Sequence, residues 1–215
     1  FNMRYTSLVT YVKSIEMSYW RKLRLSYHAP LTLKEIDIFF EKTEEHRKRK
    51  NLLTLTIVDL IAGLGSMISV LKVVAHMKNL PYTFYASDNR TTTTKPETQD
   101  VDKFHSMRVL QFSASEVCNE KYPGNDGMVF LMFYPPNDNH LREEAVEDPG
   151  KIVAENCVKN DNMIVAIDEG DNGLAGSKDY HDVKDQLICV YSAKLTNCRM
   201  TMEDRVSYYS GKNEG

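Results

Sequence analysis

No apolar run in this sequence reaches the roughly 18 positions that a membrane-spanning helix needs, and no membrane partner is expected. The first residues, from Phe1 onward, carry no basic-then-apolar leader of the secretory kind. Cysteine is sparse: Cys118, Cys157, Cys189 and Cys198 stand 39, 32 and 9 residues apart. None forms a Cys-x-x-Cys pair, and no His/Cys cluster has the spacing of a zinc site. Buried, reduced thiols of a cytoplasmic or nuclear protein are the expectation. Also missing are a Gly-x-Ser-x-Gly elbow, a Walker loop and a His-Glu-x-x-His helix, so hydrolase, phosphoryl-transfer and zinc-peptidase readings have no support. There is no internal repeat, and the one low-complexity patch, Thr91–Thr94, reads as a loop.

What the 215 residues do contain is the composition of an ordinary globular protein, 42% hydrophobic and 27% charged. The net charge of −3 conceals an asymmetry. Residues 1–50 hold 11 Lys and Arg against 6 Asp and Glu, whereas the remainder holds 16 against 24. A basic front on an acidic body implies either contact with nucleic acid or packing of the front on the body. The expected division is a basic N-terminal helical extension, residues 1–50, and one folded domain, residues 51–215.

Apolar positions at helical spacing predict a first helix within residues 3–26. Thr32 with Glu35 three residues later forms a capping-box pattern that opens a second helix. Its charged end, "EEHRKRKN", reads as a solvated last turn whose cations suit the helix dipole, with RNA or DNA contact as the other reading. Beyond Asn51 the pattern alternates. Strands are predicted at 53–59, 82–87, 108–112, 128–134 and 163–168, and helices at 66–78 and 178–186. Helical content at 140–158 is expected to be interrupted by Pro149 and Gly150. Stretches 187–195 and 199–209 are expected to close the chain as a hairpin. Strands alternating with helices at this spacing predict a doubly wound, mostly parallel α/β sheet of seven strands with helices on both faces.

In such a sheet ligands bind at the carboxyl ends of the strands. The segment "DLIAGLGS", residues 59–66, follows the first strand there, with Ala62, Gly63 and Gly65 forming the turn. A dinucleotide fingerprint needs a third small residue, but Ile68 stands in that place. Asp59 at the strand tip would also face a pyrophosphate of like charge, at a cost of about 4 kcal/mol at 4 Å and an effective dielectric of 20. S-adenosylmethionine carries a sulfonium and an amino group instead, which an acid attracts. Asp88, 23 residues beyond Gly65 in "YASDN", has the spacing of an acid that accepts ribose hydroxyls. An Asx turn involving Asn89 is its plainer reading. Ser113 and Ala114 in "QFSASE" stand where an adenine would be bordered.

"DLIAGLGS" resembles motif I of the class I S-adenosylmethionine-dependent methyltransferases. It departs at Ile61, where many members have glycine, and is similar to the "DLFAG" variant of cytosine-modifying DNA enzymes. The resemblance spans about residues 51–209 and implies a Rossmann-like domain with S-adenosylmethionine as cofactor. It extends to "LMFYPPNDNH", residues 131–140, where amine methyltransferases of nucleic acids carry Asp/Asn-Pro-Pro-aromatic. Only Pro135 and Pro136 match. Tyr134 takes the place of the acid or amide and Asn137 that of the aromatic. The resemblance then implies exchanged roles, with Tyr134 as an aromatic wall and Asn137 or Asp138 accepting from the nucleophile. A strand-terminating Pro-Pro is the other reading.

Asp168, Glu169 and His140 flank the same edge, as pocket lining or as polar turns. The implied function is methyl transfer to a nucleic acid, RNA ahead of DNA. A catalytically inactive methyltransferase-like scaffold is the alternative, and a nicotinamide oxidoreductase is disfavoured by Ile68 and Asp59.

Overall fold

The computed structural model describes residues 31–62, 65–88, 109–110, 112–121, 127–138, 141, 147–168, 175–195 and 205–211. The helix expected within residues 3–26 lies outside these. By its contacts the chain divides into Phe1–Pro30 and Leu31–Gly215. The second unit therefore begins ahead of the capped helix, not after residue 50.

Helix α1 spans Leu33–Arg49 and starts where the capping box predicts. The Thr32 hydroxyl accepts the Glu35 amide at 3.3 Å, and the Glu35 carboxylate accepts the Thr32 amide. Strand β1 (Leu55–Asp59) leads into α2 (Ser66–Met77), and β2 (Tyr82–Ser87) follows. Strand β3 is described at Val109–Leu110, within the expected 108–112, of which residues 108 and 111 lie outside the described residues. After it Ser113 caps a short helix, α3 (Ala114–Glu116), that widens into a π-turn over Val117–Lys121. Strand β4 is Met128–Phe133 and β5 is Met163–Asp168. Between them α4 spans Pro149–Asn160, so Pro149 does not interrupt a helix but opens one. A proline at the first helical position loses only an N–H that has no intrahelical partner. Helix α5 (Lys178–Lys184), β6 (Ile188–Lys194) and β7 (Arg205–Ser210) complete the order.

The seven strands form one sheet in the order β3-β2-β1-β4-β5-β7-β6. Strands β1 to β5 pair in parallel, while β7 runs antiparallel between β5 and β6. Side chains alternate between faces with period two. Val58, Phe130, Met132, Ile164 and Ala166 meet Val153, Ala154 and Cys157 of α4 and Val117 and Cys118 of the π-turn on one face. The intervening residues, among them Ile57, Val129, Leu131 and Val165, are equally buried on the other. There the Phe40 ring of α1 meets Tyr82 at 5.9 Å, and the Thr43 hydroxyl lies 3.0 Å from the Tyr82 hydroxyl. A sheet covered on both faces is what the continuous apolar runs of β4 and β5 require.

Much of the basic charge of α1 is spent on this packing. Arg47 pairs with Glu44 at 2.7 Å, and Arg49 and Lys50 reach Asp161 at 3.1 and 3.3 Å. His46 is buried, with Nδ1 3.1 Å from the Arg49 guanidinium; arginine only donates, so Nδ1 accepts and the ring is neutral. Burial first, then the neighbouring Arg49, lowers its pKa to about 4. Cys118 and Cys157 are buried thiols, as expected, but Cys189 on the edge strand β6 is exposed. Among the described residues no helix is long and apolar enough to cross a membrane, and no group of His, Cys, Asp and Glu is arranged to hold a metal ion.

Candidate cofactor and acceptor site

Strand order reverses in chain direction between β1 and β4, which makes their carboxyl ends the ligand-binding crevice of such a sheet. Asp59 is at this point: in register it stands between Ala86 of β2 and Leu131 of β4. Two residues beyond Ala86, Asp88 forms an isolated bridge with Ile61. Its amide donates to Leu110 O at 3.0 Å, and Ser113 begins three residues further along that chain. Tyr134 follows β4 directly. Four segments far apart in sequence are thus brought to one edge by the sheet topology.

Asp59 is 4% exposed. Its carboxylate accepts the Ile61 amide at 3.3 Å, and no cation pairs with it among the described residues. Burial pushes its pKa up to about 7, and the nearby Asp88 carboxylate adds to the rise. Such a group costs free energy when ionised alone and is relieved by an approaching cation. Beside it the chain turns tightly, with the Ala62 amide donating to Ser87 O at 3.1 Å and the Gly65 amide to Ala62 O at 2.7 Å. Gly65 takes φ 71°, a left-handed conformation that glycine adopts without steric cost, and caps α2 with no side-chain hydrogen bond. The first turn of α2 carries no acid. Its N–H groups are therefore positioned for an anionic or carbonyl acceptor from elsewhere. Ile68 is fully buried, as a packing residue of α2.

Other expected residues have local duties as well. The Ser113 hydroxyl accepts the Glu116 amide at 3.1 Å, and the Ala114 side chain packs in the core. Gly63, Asn89, His140 and Glu169 lie outside the described residues. Asp168 is within them as the last residue of β5, in register with Arg205.

The loop after β4 has an unusual backbone. Tyr134 adopts φ 54°, uncommon for any residue with a Cβ and further disfavoured for one that precedes proline. Hydrogen bonds from β5 and from residues 176–178 hold it. The Tyr134 amide donates to Ile167 O at 2.9 Å, the Gly176 amide to Pro135 O at 2.6 Å, and the Lys178 amide to the Asp138 carboxylate at 3.2 Å. Asp138 is exposed, and Asn137 O accepts the Leu141 amide at 3.0 Å. Gly176, Ser177 and Asp148, which complete this corner, were not singled out by sequence reasoning. Asp148 before Pro149 is a legible helix start, but nothing in the sequence links it to Ser177.

No family model matches this sequence, and no curated protein matches it either. Solved structures do. A Listeria monocytogenes protein described as a class I S-adenosylmethionine-dependent methyltransferase superposes with a TM-score of 0.50 at 10% identity, over 88% of this chain and 63% of that one. WbdD matches with a TM-score of 0.50 at 12% identity, over 83% of this chain and 40% of that one. The magnesium protoporphyrin IX methyltransferase of Synechocystis PCC 6803, solved with bound S-adenosylmethionine, gives 0.46 at 13% identity over 94% and 96%. The chain thus spans under two thirds of the first two proteins. At these identities the likeness is one of fold. Together with the strand order and the reversed β7, it identifies the architecture of this chain as the Rossmann-like fold of the class I S-adenosylmethionine-dependent methyltransferases.

Proposed function

We propose that this protein binds S-adenosylmethionine at the carboxyl ends of β1 and β2 and transfers its methyl group to an acceptor held beyond β4. The carrying observation is Asp59, a carboxyl group buried at the switch point with no cation beside it among the described residues. The donor set around it fits this cofactor on both signs of charge. Asp59 offers a buried negative charge to an ammonium or sulfonium, while the uncapped start of α2 at Gly65 offers N–H groups to a carboxylate. Asp88 supplies acceptor atoms for two ribose hydroxyls. Ala62 shapes the turn, with Gly63 next to it in sequence, Asn89 follows the ribose acid, and Ser113 with Ala114 borders an adenine. A diphosphate suits this constellation poorly, because both acids would face it.

The bound group supplies an electrophilic methyl on a positively charged sulfur. The chain's own part is alignment of the acceptor for in-line attack and exclusion of water from the sulfonium. Tyr134 walls the acceptor, Pro135 and Pro136 stiffen the loop, and Asn137 or Asp138 accepts from the attacking amine. Nucleic acid, RNA ahead of DNA, is the acceptor this loop supports. Arg47 and Arg49 of α1 and the following Lys50 support it less, being paired with Glu44 and Asp161. Contact through the basic N-terminal segment then falls to Arg4, Lys13, Arg21, Lys22 and Arg24, with the exposed Lys34 and Lys48 of α1. A methyltransferase-like scaffold without catalysis is the second reading, favoured by Tyr134 and Asn137 standing where the signature has other residue types.

Calorimetric titration with S-adenosylhomocysteine tests cofactor binding. Measurable heat is expected, with Asp59→Ala weakening affinity at least about tenfold. No heat and no thermal shift at millimolar ligand would remove the reading. Tritium transfer from methyl-labelled cofactor into RNA, DNA or protein then separates enzyme from scaffold.

A further inference from the structure

The turn at Gly176, Ser177 and Lys178 makes three hydrogen bonds from three successive residues to separate parts of the acceptor corner. The Gly176 amide holds Pro135 O, and the Lys178 amide holds the Asp138 carboxylate. Between them the Ser177 hydroxyl donates to Asp148 Oδ2. Asp148 Oδ1 meanwhile accepts the Lys151 amide at 3.0 Å and so caps α4. The same Ser177 oxygen accepts the Tyr180 amide at 2.9 Å and caps α5. Ser177 is 1% exposed, so the contact is shielded from water. Around it the two helices are close: Gly150 abuts the Tyr180 ring, and Lys151 pairs with Asp179 at 3.0 Å.

A strained backbone persists only where its surroundings over-determine it. Tyr134 is such a residue: β5 holds its amide, and the Gly176–Lys178 turn holds Pro135 and Asp138 of the loop that follows it. That turn has a left-handed glycine of its own, Gly176 at φ 87°, whose space is closed by Tyr180 and His181. It is fixed to the rest of the fold through Ser177.

We propose that Ser177 and Asp148 are a positioning pair that holds the Gly176–Lys178 turn against the Tyr134–Asp138 loop and thereby sets the shape of the acceptor side of the site. The geometry stands by itself; the consequence for methyl transfer rests on the methyltransferase reading. Neither residue is bonded to Asp59, Asp88 or Gly65, so cofactor affinity is expected to change little when the pair is broken.

The test separates capping from positioning. Ser177→Asp keeps a good N-cap for α5 but sets two carboxylates against each other. The exchanged pair Asp148→Ser with Ser177→Asp restores one hydroxyl and one carboxylate, both still able to cap. On the full chain, amide hydrogen exchange is followed at Tyr134, Gly176 and Lys178. Calorimetry with S-adenosylhomocysteine and tritium transfer into total RNA and protein accompany it.

In Ser177→Asp all three amides are expected to exchange at least about tenfold faster. S-adenosylhomocysteine affinity should stay within about twofold, tritium transfer should fall, and the exchanged pair should restore protection. Ser177→Ala, which also removes the α5 cap, gives the same readout if Ser177→Asp does not fold. Unchanged exchange at Tyr134, or faster exchange confined to α5, overturns the proposal. If the wild type binds no S-adenosylhomocysteine the methyltransferase reading fails alone, and the exchange data still decide the pair.

Discussion

Asp59 ionises only with difficulty, because almost no water reaches it and the like charge of Asp88 opposes a second carboxylate nearby. Its folded-state pKa of about 7 lies above the ordinary value of 3.8, so the native state binds the extra proton between these limits. Stability contributed at Asp59 is therefore present below about pH 4 and lost as pH rises through 7. Asp59→Asn should match the wild type near pH 4 and exceed it at pH 8 by roughly 2–4 kcal/mol in urea unfolding. His46 titrates in both proteins and cancels in the comparison. Equal stabilities at pH 8 would mean that Asp59 is not desolvated. At Tyr134 the cost is conformational. Glycine takes φ 54° freely and alanine does not, so Tyr134→Gly should unfold about 1 kcal/mol later than Tyr134→Ala, the reverse of the usual order. An acid interrupting an apolar run is visible in a sequence, which is why Asp59 was legible there. A left-handed tyrosine is not, because the loop that carries it is held by Ile167, Gly176 and Lys178 from two other segments.

Elements with local signals were read closely. Strands β2 and β5 match the predicted 82–87 and 163–168, since apolar β-branched and aromatic runs bounded by turn residues leave little choice. Helix α1 begins at its capping box, and Thr32→Ala should cost about 1 kcal/mol in thermal or urea unfolding, with Thr32→Ser nearly neutral. No loss in Thr32→Ala would mean that tertiary contacts through Phe39 and Phe40 alone hold the helix start. Where the reading failed, one residue type had two meanings. Pro149 ends a helix in its interior and opens one at its first position, and only the Asp148 cap decides between these. The cations after Glu45 do form the last turn of α1, with Lys48 and Arg49 exposed as expected, and the reach of Arg49 and Lys50 to Asp161 is the part that no local signal shows. Beyond the described part of β3, the Ser87 hydroxyl takes over the pairing, donating to Phe112 O at 2.7 Å and accepting the Phe112 amide at 3.1 Å.

At the scale of the whole molecule, alternation of strands and helices implied a parallel sheet, and the two C-terminal strands implied a hairpin. That β7 enters between β5 and β6 was not readable, because the choice depends on which buried edge remains open once β5 is placed. Its consequence is that β5 is flanked on both sides and its carboxyl end is fixed beside β4, which is where the crevice needs a rigid floor. A ligand bound there stabilises the entire unit and not a loop alone, since Asp59, Asp88 and Gly65 belong to elements of the one sheet and its first crossover. With S-adenosylhomocysteine at a hundredfold excess over its dissociation constant, the fold gains about 2.7 kcal/mol, a rise of roughly 5 to 10 °C in melting midpoint for a chain of this size. Asp59→Asn should show the opposite pairing at pH 8: a higher midpoint without ligand and little further rise with it. Differential scanning of both proteins with and without ligand reads this in one experiment. A wild-type rise that survives intact in Asp59→Asn would place the ligand away from β1 and detach the cofactor from the buried acid.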